Sequence, residues 1–298
     1  MERDGATNVG AARSFGRGGV ALCGLVAFAL SIGNLSACTL WGVAGTNAAG
    51  GTLISKNRDW KPDHTQALKM QRDGKGYAYF GLYAVDGAAP GIKAGVNEKG
   101  LTVIAASASS IPKSRLDKQP GKHGVIGALL AGCASCDEVL AKKETLFPNA
   151  RAMFLMISDH RKILVVEVGL EGKYALKSVT SGPVFHTNHF LEETLAEFNA
   201  KVGASSATRL DRVAQLLKAA PQPHTIESFA AISRDRHDGP DNSLWRTGQN
   251  TRTLASWIVE TPLQGAPKLR VVIANPGQPE ETQTFVLDQA FFQSHPLK

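Results

Sequence analysis

Two periods of hydrophobic spacing alternate along this chain, and they place strands towards both ends with helices between. Residues 39–43, Thr-Leu-Trp-Gly-Val, form a short apolar run that suits a strand in a core. A Gly-rich turn at Gly50-Gly51 follows, then a second strand-like run ending at Asp59-Trp60. Residues 77–85, rich in aromatic side chains, read as a strand. Residues 91–96 and 100–106 read as two more, flanking a tight turn at Asn97-Glu98-Lys99. Helical spacing covers 124–132 and 136–143, and Ser135-Cys136-Asp137-Glu138 supplies a capping box for the second. Residues 153–158 and 163–168 are apolar runs that Asp159-His160-Arg161-Lys162 joins as a hairpin, and 174–179 and 183–187 continue the sheet. The amphipathic stretch 191–202 predicts a helix, and Ser206 predicts the cap of another that carries Arg209 and runs to Ala219. Residues 225–233 make a third, 234–250 are polar and Gly/Asp-rich and read as a loop, and 254–260, 269–274 and 284–287 are late strands. Strands, a helical block, then strands again suggest one layered domain over residues 38–298, of α+β class.

Composition narrows the function. The chain has 298 residues, 43% hydrophobic and 20% charged, enough for an ordinary core. Its net charge of +7 is spread along the sequence with no dense Lys/Arg run, so nucleic acid is not an expected partner.

The first 37 residues read as a secretory signal. Arg3, Arg13 and Arg17 make a basic start, residues 19–32 an apolar centre, and 33–37 a small polar region ending in Ala37. The apolar centre is short for a membrane span, and no later run of about 20 apolar residues follows. The expected location is the periplasm or the exterior. Cleavage after Ala37 would leave Cys38 first, with a thiol and a free α-amine on one residue. The thiol is a nucleophile, and an amine with a reference pKa of about 7.7–8.0 can take its proton near neutral pH. Leu35-Ser36-Ala37-Cys38 also reads as a lipobox, in which case Cys38 would be an anchor without chemistry. The apolar run that begins at Thr39, where a lipoprotein has a flexible tether, favours the nucleophile.

Other chemistry-bearing residues carry weaker signals. Cys133 and Cys136 form a CxxC that suits a helix junction, with a local disulfide as the alternative. His186 and His189 flank a strand end, so their side chains need not converge, and there is no HExxH; a zinc site is not expected. Gly50-Gly51 lacks the Lys-Ser/Thr of a phosphate loop. No cofactor is implied.

Several short motifs fall in order along the chain: Cys38-Thr39, Lys56-Asn57-Arg58-Asp59-Trp60, residues 95–101, Met156-Ile157-Ser158-Asp159, Thr187-Asn188-His189-Phe190 and Ser206-Ala207-Thr208-Arg209. In these the chain resembles the N-terminal-nucleophile hydrolases of the choloylglycine hydrolase and penicillin V acylase type. Thr253-Leu254-Ala255-Ser256 resembles the isopenicillin-N acyltransferase-like branch. The resemblance implies a four-layer αββα sandwich of two antiparallel sheets with helices outside. It implies amide hydrolysis or acyl transfer by the terminal cysteine on a small N-acyl amide. It makes Cys38 the nucleophile, Asp59 the acid that holds the free amine, Asn188 the donor beside the scissile carbonyl, and Arg209 the arginine near the nucleophile. Lys56, Arg58, Asn97 and Ser107 are its candidates for substrate or oxyanion contact. Two positions depart from it: Lys56 stands where the choloylglycine hydrolases have arginine, and Ser107 where they have asparagine. Both departures weaken a bile-salt reading. The expected function is an exported cysteine amidohydrolase; an acyltransferase and a lipid-anchored binding protein stay open, as does a homo-oligomer.

Overall fold

The structure, a computed structural model, describes residues 37–72, 74–87 and 89–294. The expected signal segment, except Ala37, lies outside the described residues. Two sheets dominate, and every strand pairing in them is antiparallel. One has the order β10-β1-β2-β11-β12-β13, built from Thr39–Ala44 (β1), Thr52–Trp60 (β2), Gly182–His186 (β10), Arg252–Thr261 (β11), Lys268–Ile273 (β12) and Glu281–Val286 (β13). The other is a meander of Gln66–Arg72 (β3), Ala78–Ala84 (β4), Gly91–Asn97 (β5), Thr102–Ser107 (β6), Met153–Ser158 (β7), Ile163–Val168 (β8) and Tyr174–Val179 (β9), paired in chain order.

Side-chain alternation sorts these strands into layers. Leu40 and Ile54 from the first sheet and Phe80, Val96, Ile104 and Phe154 from the second share one core between the sheets. Trp41, Val43, Leu53 and Ile258 point the other way, onto Val213 and Leu217 of a helix over Ala204–Ala219 and Phe229 of one over Ile226–Ser233. On the far side, Tyr79, Val103 and Leu155 pack on Leu129 and Leu130 of Val125–Gly132 and on Val139 of Cys136–Leu146. The result is helix, sheet, sheet, helix, as the resemblance implies. β2 is buried along nearly its whole length because both its faces are covered. A short helix, Gln289–Ser294, closes the inter-sheet core with Phe291, whose ring centroid lies 5.1 Å from that of Phe80. Truncating a ring so placed costs about 3–5 kcal/mol. No helix among the described residues is long and apolar enough to cross a membrane.

Three local readings are corrected. The helix expected over 191–202 is a 3-10 helix, Glu193–Phe198. Its buried residues, Leu195 and Phe198, are three apart and so share a face of a three-residue turn. Asn199 cross-ties to Phe190 by accepting from its N–H (2.9 Å) and donating to its carbonyl (2.8 Å), which leaves no room for a longer helix. Ser206 is not a cap: the helix begins at Ala204, and the Ser206 hydroxyl accepts from Asn188 N–H at 3.0 Å. The loop over 234–250 includes one helical turn, Gly239–Asn242. Ser135 caps its helix, accepting from Glu138 N–H, while the Glu138 carboxylate accepts from Ala134 N–H instead of closing the box on Ser135. Cys133 and Cys136 are free, buried thiols, not a disulfide. Burial pushes both thiols up, and the Asp159 carboxylate adds to the rise at Cys136, so neither is a ready thiolate.

Candidate active site

The register of β1 on β2 assembles the first part of the site. Thr39 faces Asn57 and Leu40 faces Lys56, so Cys38, one step further out, comes opposite Arg58. Alternation puts Cys38, Lys56 and Arg58 on the inter-sheet face and Asn57 and Asp59 on the helix face. Cys38 is 2% exposed, and its thiol donates to the Asp59 carbonyl at 3.9 Å. Burial alone would raise this thiol. The charges of Lys56 and Arg58 outweigh it and hold the thiol below its ordinary value. Lys56 crosses to the other sheet and donates to the Ala105 carbonyl of β6. Arg58 stacks over Trp60, 4.6 Å from the ring centre, and donates through Nη1 to the Asp59 carbonyl at 3.1 Å. Its Nε and Nη2 are buried with no hydrogen-bond acceptor among the described residues. Lys93 of β5, half-buried, donates to the Pro90 carbonyl at 3.3 Å, and burial, with repulsion from Arg58 and Lys56, pushes its ammonium down to about 7.

Asp59 serves the opposite face. β11 carries a bulge between Thr253 and Ala255, which sets Thr253 opposite Asp59 while Ala255 faces Arg58. The Thr253 hydroxyl donates to Asp59 Oδ1 at 2.7 Å and accepts from Arg246 N–H. The carboxyl is fully buried, and that burial pushes it up to about 6, against the opposing pull of Arg246, Arg209, Thr253 and Lys56. Its Oδ2 has no partner among the described residues.

Arg209 ties the remaining pieces together. From the first turns of its helix it donates to the Cys38 carbonyl (2.8 Å), to the Thr39 hydroxyl (2.6 Å) and to Asn188 Oδ1 (3.0 Å). Burial pulls this guanidinium down to about 10, and Asp59 and Cys38 support its charge. Because the guanidinium holds Oδ1, the Asn188 NH₂ turns towards β6, where it donates to the Ser107 carbonyl at 3.0 Å. The second amide hydrogen remains for another acceptor. Behind Asn188, Ser206 links to Thr187 and His189, and Glu167 accepts from Leu191 N–H and meets His186 Nε2 at 2.9 Å. His186 and His189 thus have different hydrogen-bond partners.

The structure therefore brings Cys38, Asp59, Lys56, Arg58, Asn188, Arg209 and the Ser107 carbonyl together, and leaves Asn97 out. Asn97 spends its carboxamide on the turn: Nδ2 donates to the Leu130 and Cys133 carbonyls, and Oδ1 accepts from Lys99 and Leu101 N–H. It is a turn lock on the second sheet. Arg209 holds backbone and Asn188, while Lys56 and Arg58 supply the charge at sulfur. Thr253 stood in a motif without a role, Ser206 was read as a helix cap within another motif, and Arg246 and Lys93 gave no local signal.

A family model described as acyl-coenzyme A:6-aminopenicillanic acid acyl-transferase matches residues 46–278. No curated protein sequence matches the chain. Two crystal structures of conjugated bile acid hydrolase from Clostridium perfringens are similar to it. An arginine-to-leucine variant superposes with a TM-score of 0.50 at 17% identity, over 84% of this chain and 98% of that one. A cysteine-to-alanine mutant gives 0.49 at 16% identity, with the same coverage. The first of these likenesses speaks for the fold alone, whereas the family match runs through β2, the bulge at Thr253 and everything between. The chain belongs to the acyl-coenzyme A:6-aminopenicillanic acid acyl-transferase family, among the N-terminal-nucleophile hydrolases that its motifs resemble.

Proposed function

We propose that this chain is an exported cysteine amidohydrolase, cleaving a linear N-acyl amide with Cys38 after residues 1–37 are removed. One observation carries the reading: a buried thiol held low by two cations sits beside a buried carboxyl that lacks a partner for one oxygen. Removal of Ala37 turns the Cys38 amide nitrogen into a free α-amine, whose protonated form, made when it takes the thiol proton, is the group that Asp59 Oδ2 needs. In the reaction the α-amine takes the thiol proton and sulfur attacks the acyl carbon. The second Asn188 N–H donates to the oxyanion. Collapse breaks the C–N bond, the α-ammonium returns its proton to the departing amine, and a thioester stays on Cys38. Water, deprotonated by the same amine, then releases the acid.

The family description favours a second reading at the last step, in which an amine takes the place of water. The burial of Cys38, with a strand starting at Thr39, favours the nucleophile over a lipid anchor. Intact mass of the exported protein tests this first: a bare N-terminal cysteine is expected, and a diacylglyceryl cysteine would overturn the proposal. The assay panel is N-acyl amino acids, penicillins and, after the bile acid hydrolases, bile-salt conjugates, each with and without added amine. Lys56 and Ser107 weigh against the last group. Product acid without added amine supports hydrolysis, and product only with amine supports transfer.

A further inference from the structure

The charged groups that act on the Cys38 thiol are Lys56, Arg58 and Asp59 of β2, Arg209 of the Ala204–Ala219 helix and Lys93 of β5, and they are not held alike. Lys56 is anchored on the Ala105 carbonyl of the other sheet, and Lys93 on the Pro90 carbonyl. Asp59 accepts from the Thr253 hydroxyl, and Arg209 donates to Cys38, Thr39 and Asn188 together. Arg58, by contrast, reaches a single carbonyl, that of Asp59, through Nη1 at 3.1 Å, and its Nε and Nη2 have no acceptor among the described residues. It is 2% exposed and stands two residues from Lys56 on the same face of β2, so the two like charges repel. One bond fixes one nitrogen and leaves the guanidinium plane free to turn about it.

Trp60 supplies what the hydrogen bonds do not. It stands two residues beyond Arg58 on the same face of β2, and Arg58 Cζ lies 4.6 Å from its ring centroid. The face of an indole attracts a cation more strongly than any other side-chain ring. The indole is itself backed. His64 lies edge-on to it, with centroids 5.3 Å apart and planes at 71°, and His64 Nδ1 donates to Asp63 at 2.7 Å. Gly87 packs on the imidazole so closely that a Cβ there would lie 2.4 Å from the ring. Trp60 Nε1 is buried with no acceptor among the described residues, so stacking and not a hydrogen bond places this ring.

We infer that Trp60 is a positioning residue for the nucleophile: its indole face holds the Arg58 guanidinium opposite Cys38, against the repulsion of Lys56, and so keeps the charge of Arg58 available to the sulfur. The inference rests on the amidase reading above, in which Cys38 reacts as a thiolate. The strand register sets Cys38 opposite Arg58, and the stack decides how the guanidinium lies there.

The test follows iodoacetamide labelling of Cys38 against pH in the mature protein, read by mass mapping, and needs no substrate. Arg58→Met is expected to raise the half-point by about one pH unit, the low end for loss of a cation beside an ionising group. Trp60→Leu should raise it by about half as much, and Trp60→Phe, which keeps a ring face, by less again. In an Arg58→Met background Trp60→Leu should add nothing, because the indole acts only through the guanidinium. Labelling is read only where circular dichroism shows the variant folded. If Trp60→Leu does not fold, Trp60→Phe with and without Arg58→Met makes the same comparison. A Trp60 that merely fills space would leave the half-point at the wild-type value, or shift it equally with and without Arg58; either result overturns the inference and leaves the amidase reading standing. A Cys38 that stays unlabelled at every pH overturns the amidase reading, and the inference with it.

Discussion

Asp59→Asn should change sign with the state of the N-terminus. In a chain that keeps Ala37 before Cys38, Asp59 has no α-ammonium to face. Burial lifts its carboxyl from 3.8 to about 6. A lift of that size corresponds to about 3 kcal/mol against the ionised form above pH 6. The folded acid holds its proton more tightly than the unfolded one. Stability is therefore greatest below pH 3.8 as far as this group is concerned, and falls as pH rises towards and through about 6. Asparagine removes the charge but buries an NH₂, which takes back about 1 kcal/mol. The uncleaved variant should thus be about 2 kcal/mol more stable than uncleaved wild type at pH 8, with little gain at pH 4. In the chain that starts at Cys38, Asp59 pairs with the α-ammonium. Removing one member of a buried pair costs about 3–5 kcal/mol. The same substitution should then destabilise. Urea unfolding of the four proteins at pH 4 and pH 8 reads both signs from the midpoints. Destabilisation of similar size in both N-terminal states would refute the reasoning, because Asp59 would then be held by Thr253 and the arginines alone.

Three further predictions test the rest of the site. Asn188→Ala should lower kcat by about 10²–10³ with a smaller change in KM; a change confined to KM would remove Asn188 from the oxyanion role. Lys56→Met and Arg58→Met should each move the half-point of iodoacetamide labelling of Cys38 to higher pH, since each removes a charge that holds the thiol low; an unmoved profile would mean other groups set the thiolate. Cys38→Ser should fold and bind substrate but turn over very slowly, and mass-mapped labelling of wild type should find Cys38 modified with Cys133 and Cys136 untouched.

Much of the sheet framework was legible because strand spacing is a local property. Residues 77–85, 153–158 and 163–168 alternate or run apolar between polar turns, and the Asp159–Lys162 hairpin follows from that alone. Cys38 and the Lys56–Trp60 stretch announced themselves as chemistry. β3 escaped notice because it is an edge strand whose residues are only partly buried, so its hydrophobic signal is weak. The stretch at 191–202 misled because a helix and a three-residue turn bury nearly the same positions over six residues.

The site itself needed the tertiary structure. A period of two says that Lys56 and Arg58 share a face and Asp59 does not, but not which neighbour each face meets. That was decided by pairings far apart in sequence, Leu40 with His186 and Arg58 with Ala255, and by a helix that carries Arg209 back to the Cys38 carbonyl. Asn97 and Asn188 show the difference. Both are buried asparagines at strand ends in recognisable motifs, and both looked like candidates. One closes its own turn with every group of its carboxamide, while the other is turned by Arg209 towards Ser107 with a donor to spare. Sequence determines which hydrogen-bonding groups a residue owns; long-range packing decides which of them are used up and which are left over for a ligand.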